Sequence, residues 1–427
     1  MVRPIAIVLC MNWSDHLANL NGGEILYGAQ TAQALTNFPL AGPRLSDRPE
    51  LVKAVAAVKI AAARANVALG ELDETRGRAI VAAGEEVRAG RHLGQFVLPV
   101  VQGGGGTSTN MNVNEVLAAR ASQLSGVVVH PNDHVNRGQS TNDVMPTAIA
   151  IAVIPLIDQA LVGLRRVAES LENKAIEYDA LVHLGRTCLQ DAVPIPVADF
   201  HRGQAASVGP AMDALVAAAT ELYAVPLGGT AVGTGLGTAP GFAEAALEEL
   251  TALTGLALTI APSPSYSLAS LEPLTAVSEA ASRAGRVLAR IARDLRLLAS
   301  GPVGGIGEVE LPAVQAGSSI MPGKVNPVIP ELVMQVSFLL NGATAAARSA
   351  TEVGELEVSA MAPVVTLGLL DGLTNLHRVS EVFAGRCITG LRWREDAVAR
   401  NLAGSLESAV LTATTDGYES AARSVQR

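Results

Sequence analysis

Residues 317–327 read GSSIMPGKVNP and set Ser318, Lys324 and Asn326 among two glycines and two prolines. A connecting loop needs only turn residues. A hydroxyl, an ammonium and an amide in the same eleven positions add a potential base and two donors suited to an anion. Three more polar loops repeat the theme. GGGGTSTN offers Thr107 behind bare glycine amides, QSTND offers Ser140, Thr141 and Asn142, and GRTCLQD offers Thr187 and Cys188. The set combines many neutral donors and one cation with no carboxylate pair, which suits a small carboxylate substrate.

Other site chemistries fail on spacing. Five residues separate Gly317 from Gly323, where a phosphate loop needs four, and Val325 stands where its Ser or Thr should be. The second glycine-rich loop, GGTAVGTGLGTAPG, contains no G-x-G-x-x-G and lacks a strand before it, which excludes a dinucleotide fingerprint. His130 and His134 stand four apart in HPNDH, but without the glutamate of H-E-x-x-H and with His183 far along the chain, so no metal is assigned. No cofactor is expected.

The elements that must carry these loops are helices. The chain has 427 residues, 49% hydrophobic but only 3% aromatic, with a net charge of −9. Its Ala- and Leu-rich composition favours close-packed helices, and the acidic balance argues against nucleic acid. Periodicity predicts two amphipathic helices within 51–90, a helical run from Asn114, a long helix over 147–175 interrupted only by Pro155, and helices near Val197, over 242–254 and from about Glu331. The pattern is clearest over 279–299. There Leu288, Ile291, Leu295 and Leu298 recur at helical steps, and Arg283, Arg286, Arg290 and Arg293 mark a second stripe, read as a polar face. HVNR (134–137) and GEVEL (307–311) are the only strand candidates, and 130–146 and 185–196 read as loops. The fold class is all-α.

Three widely spaced cysteines, Cys10, Cys188 and Cys387, suggest neither a disulfide framework nor a metal site and fit a reducing cytoplasm. The apolar start, Ile5 to Met11, is too short to span a bilayer and lacks a small-residue cleavage site, so no signal peptide is read. No later run reaches about 18 uninterrupted apolar residues, and a soluble protein without a membrane partner is expected.

GSSIMPGKVNP closely resembles the signature loop of the aspartase/fumarase superfamily. GGGGTSTNMNVNEV, HPNDHVNRGQSTND, GRTCLQDAVP, GGTAVGTG and SGPVGGIGEVELP are similar to further blocks of that family, in the same order, from about Leu26 to Gly390. The resemblance implies a mainly helical, three-domain subunit, divided at 1–134, 135–385 and 386–427. Its long central helices would form a twenty-helix core in a homotetramer, with composite sites drawn from three subunits. It also implies β-elimination from a 2-substituted succinate to give fumarate. Ser318 would act as base, and Lys324 and Asn326 would hold the carboxylate where charge builds. Thr107, Ser140, Thr141, Asn142 and Thr187 would bind the other carboxylate and the leaving group.

Two departures shape the expected chemistry. Position 188, often His in the family, is Cys188, and that His pairs with a glutamate matched here by Glu331. Hydroxide needs a proton donor in order to leave, and a thiol is a weak one, so ammonia from aspartate or nitrite from nitrosuccinate is the expected leaving group. Arg202, in DFHRGQ, is a candidate contact for a nitro group or else a surface arginine. The segment before YGAQT also lacks the family's charged lead-in, and the region after Thr389 lacks its Asn-Pro element. The alternatives are a fumarase-type hydratase, a catalytically inactive structural homologue and, ranked below these, a lyase for larger adducts or a cycloisomerase.

Overall fold

The computed structural model describes Trp13 and residues 25–424; the apolar stretch Ile5–Met11, with Cys10, lies outside the described residues. The chain is mainly helical. Its principal helices are Pro49–Ala68, Glu74–Arg88, Thr107–Ser125, Thr141–Glu177, Val197–Ala219, Glu272–Leu298, Val328–Glu352 and Ala362–Phe383. Among the described residues, strands occur only as three two-stranded pairs, β1 (Val182–Thr187) with β2 (Gln190–Pro196), β3 (Ala224–Val225) with β4 (Thr259–Ile260), and β5 (Val309–Glu310) with β6 (Arg392–Trp393). Two compact units interleave along the chain. One comprises Met1–Asp158, Val216–Glu279 and Gly342–Leu373, the other Gln159–Leu215, Ala280–Asn341 and Thr374–Arg427.

In the first unit, helix Pro49–Ala68 packs against Glu74–Arg88, Thr107–Ser125 and Phe242–Thr254. Its buried face includes Ala54, Ala57, Ala61 and Ala65, whose small side chains let neighbouring helices approach closely. Asp73 caps Glu74–Arg88 by accepting from the Arg76 amide at 3.0 Å. The buried carboxylate of Glu115 plays the same part for Ala29–Asn37. It accepts from the amides of Gly28 (2.8 Å), Gln30 (3.0 Å) and Thr31 (3.2 Å), donors that a helix start leaves unpaired.

Helix Thr141–Glu177 carries Pro146 and Pro155 without ending. Together with Val328–Glu352 it is long and apolar enough to cross a bilayer, yet 67% of its most apolar window is buried inside the protein, as befits a core helix. Two sequence expectations shift here. The run expected from Asn114 starts seven residues earlier, at Thr107, and the supposed loop 130–146 is a π-turn over Pro131–Val135 followed by the first turn of the Thr141 helix. HVNR is therefore not a strand.

In the second unit, Leu288, Ile291, Leu295 and Leu298 are buried as their spacing predicts, while Arg283, Arg286, Arg290 and Arg293 are exposed. GEVEL contributes the short strand β5 (Val309–Glu310), paired with β6 (Arg392–Trp393). The stretch 185–196, expected as a loop, is most of an antiparallel hairpin of β1 (Val182–Thr187) and β2 (Gln190–Pro196). Pro194 and Pro196 sit in β2, in keeping with a strand lying at a sheet edge.

A fully buried carboxylate ties this hairpin to the β5–β6 pair. Glu308 accepts from Arg186 through both oxygens (2.7 and 3.0 Å) and from Asn401 at 2.9 Å, and it lies 3.4 Å from His183 Nδ1. Burial pushes its pKa up, but the hydrogen bonds from His183, Arg186 and Asn401 outweigh burial and bring it down to about 2. Folding thus gains stability from this carboxylate above its ordinary 4.5 and loses it as pH falls from there toward 2. The shift corresponds to something on the order of 3 kcal/mol. Thermal stability of the wild type should therefore fall more steeply between pH 6 and pH 3 than that of Glu308→Gln. Parallel slopes would exclude the clamp.

Candidate active site

The signature loop lies between β5 and helix Val328–Glu352 and is closed on itself. The Gly317 amide donates to the Lys324 carbonyl at 2.9 Å, and Asn326 Nδ2 donates to the Gly317 carbonyl at 2.7 Å. A Cβ at Gly317 would stand 2.3 Å from the Lys324 carbonyl oxygen, so this closure requires glycine, and Gly323 turns the chain at φ +83°. Within the loop, Ser318 Oγ accepts from the amides of Ile320 (3.2 Å) and Met321 (3.1 Å). Two N–H dipoles aimed at one oxygen favour negative charge there. Lys324 is exposed and, among the described residues, makes no ion pair within the chain. Asn326 already commits one amide hydrogen to closing the loop.

The first unit holds Thr107, Ser140, Thr141 and Asn142. Three consecutive left-handed glycines, Gly104 to Gly106, lead into the helix that Thr107 opens, and Thr107 Oγ1 donates to the Gly104 carbonyl at 2.8 Å. Ser140 to Asn142 form the entry to helix Thr141–Glu177. Asp143 fixes that entry, its Oδ1 accepting from the Ser140 amide (2.9 Å) and its Oδ2 from the amides of Gly228 (3.1 Å) and Thr230 (2.9 Å). Asn142 Nδ2 reaches the Ala231 carbonyl at 2.8 Å, so the second glycine- and threonine-rich loop meets this turn. Asn142 and Gly105 also line a cavity of about 380 Å³, walled mostly by apolar groups such as Met145, Ile149, Leu222 and Leu271. Such walls do not by themselves grip a dicarboxylate.

Thr187 and Cys188 sit at the hairpin tip in the second unit. Cys188 (φ +52°) and Leu189 (φ +63°) are both left-handed, the geometry of a two-residue turn that usually calls for Asn-Gly. Holding two larger side chains there stores strain, a feature that clusters at functional sites. Both tip residues are exposed. Arg202 lies in the first turns of helix Val197–Ala219, 47% exposed, 3.4 Å from Asp179 and 3.6 Å from Asp199. Glu331 pairs with Arg296 at 3.6 Å. Among the described residues, no hydrogen bond joins the hairpin tip to the signature loop. Apart from Thr107 and Arg202, the structure thus gathers the expected residues into three partial sets, the Ser318 loop, the Ser140–Asn142 turn and the Thr187–Cys188 tip.

Sequence reasoning missed the buried ions behind these sets. Asp143 is the last residue of QSTND, and Lys59 is a lone charge in a run of alanine and valine, yet neither signal states what the group would touch.

Comparison with known proteins agrees with this architecture. A family model described as Lyase matches residues 23–342. An aspartate ammonia-lyase from Bacillus sp is 39% identical over 94% of this chain and 86% of its own length. A class II fumarate hydratase from Ralstonia nicotianae is 39% identical over 93% of this chain and 87% of its own. The solved structure of a fumarate lyase:delta crystallin from Brucella melitensis superposes with a TM-score of 0.89 at 39% identity, covering 94% of this chain and 88% of that one. With motifs, fold and relatives in accord, this chain belongs to the aspartase/fumarase superfamily of lyases.

Proposed function

We propose that the protein releases fumarate from a 2-substituted succinate whose leaving group is linked through nitrogen. The observation that carries this reading is the pair of amide hydrogen bonds from Ile320 and Met321 to Ser318 Oγ. The proton to be removed sits beside a carboxylate, a poor acidifier, so the barrier lies in forming a doubly charged aci-carboxylate. Ser318, its alkoxide favoured by those amides and by Lys324, takes the proton, and Lys324 and Asn326 stabilise the charge that develops. The carbon–nitrogen bond then breaks as the double bond forms. Thr107, Ser140, Thr141, Asn142, Thr187 and Cys188 bind the second carboxylate and the leaving group. Cys188, at a tip rather than beside an activating base, is a weak proton donor, which favours ammonia or nitrite over water.

The three partial sets become one site when subunits associate, and a cytoplasmic homotetramer is the assembly proposed. Helix Val328–Glu352 supports it, since Leu332, Phe338 and Leu339 stay 42%, 61% and 64% exposed on one chain and call for a cover. Sedimentation should give about four times the 43.8 kDa subunit mass, and a monomer would count against composite sites.

Purified protein given aspartate, malate or nitrosuccinate separately should raise fumarate absorbance with aspartate or nitrosuccinate; turnover of malate alone would favour the hydratase reading. Ser318→Ala should lower elimination by about a thousandfold or more with the assembly intact, and retained turnover would refute its role as base. Arg202 remains available to a nitro group, because its two carboxylate neighbours are themselves exposed and screened. Arg202→Ala should then harm nitrosuccinate turnover more than aspartate turnover, whereas equal losses would remove that contact.

A further inference from the structure

We infer that Lys59, buried beneath the Ser140–Asn142 turn, is a positioning residue that orients the Thr141 hydroxyl toward the substrate carboxylate; the inference rests on the function proposed above. Lys59 is fully buried in helix Pro49–Ala68 among alanine and valine. A buried ammonium is costly, and methionine would fill such a space without that penalty. Its Nζ lies 2.8 Å from Asn136 Oδ1 and 2.9 Å from Gln139 Oε1. Asp143 supplies compensating charge. Burial lowers the Lys59 pKa to about 7 while Asp143 opposes the shift.

An ammonium has three donors and no acceptor, so Asn136 must turn its oxygen toward Lys59. That same oxygen accepts from Asn110 Nδ2 at 3.1 Å, which commits Asn110 to presenting its NH₂ group on this side. Asn110 Nδ2 in turn lies 3.3 Å from Thr141 Oγ1. A hydroxyl oxygen that accepts from the interior keeps its own hydrogen for a partner outside. The ammonium, together with the Gln139 carbonyl that accepts from Asn136 Nδ2 at 3.0 Å, thus sets the polarity of a chain running through Asn136 and Asn110 to Thr141. With an apolar side chain at position 59, the Asn136 oxygen loses its charged donor and is held only by the Asn110 and Asn114 amides and by the bond of Asn136 Nδ2 to the Gln139 carbonyl, so the direction of the Thr141 hydroxyl is less tightly specified.

The test compares wild type, Lys59→Met, Asn110→Leu and the double variant in the full chain. It uses the substrate that wild type turns over and succinate, a dicarboxylate with no leaving group, as the binding probe. Losing one charge-assisted hydrogen bond to a carboxylate should raise KM and weaken succinate binding about tenfold in each single variant, with kcat nearly unchanged. The double variant should be no worse than either single, because both cut the same chain. Glu115→Gln, a buried change in the same unit away from the turn, should reduce thermal stability without moving KM. A folded Lys59→Met whose KM and succinate affinity stay within threefold of wild type overturns the inference. So does a loss confined to kcat, or additive effects in the double variant. If Lys59→Met fails to fold, an unchanged KM in Asn110→Leu overturns it instead. Wild type that neither forms fumarate nor binds succinate refutes the proposed function and this inference with it; competent wild type with unaffected variants refutes the role of Lys59 alone.

Discussion

Two backbone amides converging on the oxygen of Ser318 are the contact on which the proposed chemistry depends. An unaided serine is far too weak an acid to serve as a base near neutral pH. The amides of Ile320 and Met321 alter that only while the loop is held shut, and the loop stays shut because Gly317 and Lys324 can approach backbone to backbone. Preorganisation of this kind costs nothing at the moment of reaction, since the dipoles already point where charge would gather in the proposed elimination.

The rest of each unit keeps such short polar segments still. Long helices supply rigid supports, and buried ions fasten the loops to them. Glu308 fixes the β1–β2 hairpin through Arg186, and Asp143 fixes the Ser140 turn to the 228–230 loop. A buried charge without partners would be prohibitively costly, and each of these is surrounded by donors. Side chains that look merely structural therefore determine where the candidate binding groups stand.

Much of this was legible in the sequence, and the exceptions share a cause. Helix 242–254 and the apolar stripe of Leu288, Ile291, Leu295 and Leu298 follow from local periodicity and appear as expected. The hairpin over 182–196 did not, because Gly185, Asp191, Pro194 and Pro196 imitate a loop and strand pairing is not a local property. The start of helix Thr107–Ser125 was hidden behind its glycine run. The GSSIMPGKVNP motif pointed to Ser318, but the two amides it accepts from are a matter of backbone geometry. The burial of Lys59 went unnoticed because a letter in a sequence does not say how deeply a charge is buried.

The left-handed pair Cys188–Leu189 has a consequence for how such a protein can diversify. The turn is imposed by the strands on either side, which pair Thr187 with Gln190, and not by a preference of the two residues at its crest. Side chains there can be exchanged without redirecting the backbone, and a change to asparagine or glycine would even relieve it. The crest is thus a place where natural variation can exchange exposed side chains while the framework stays as it is.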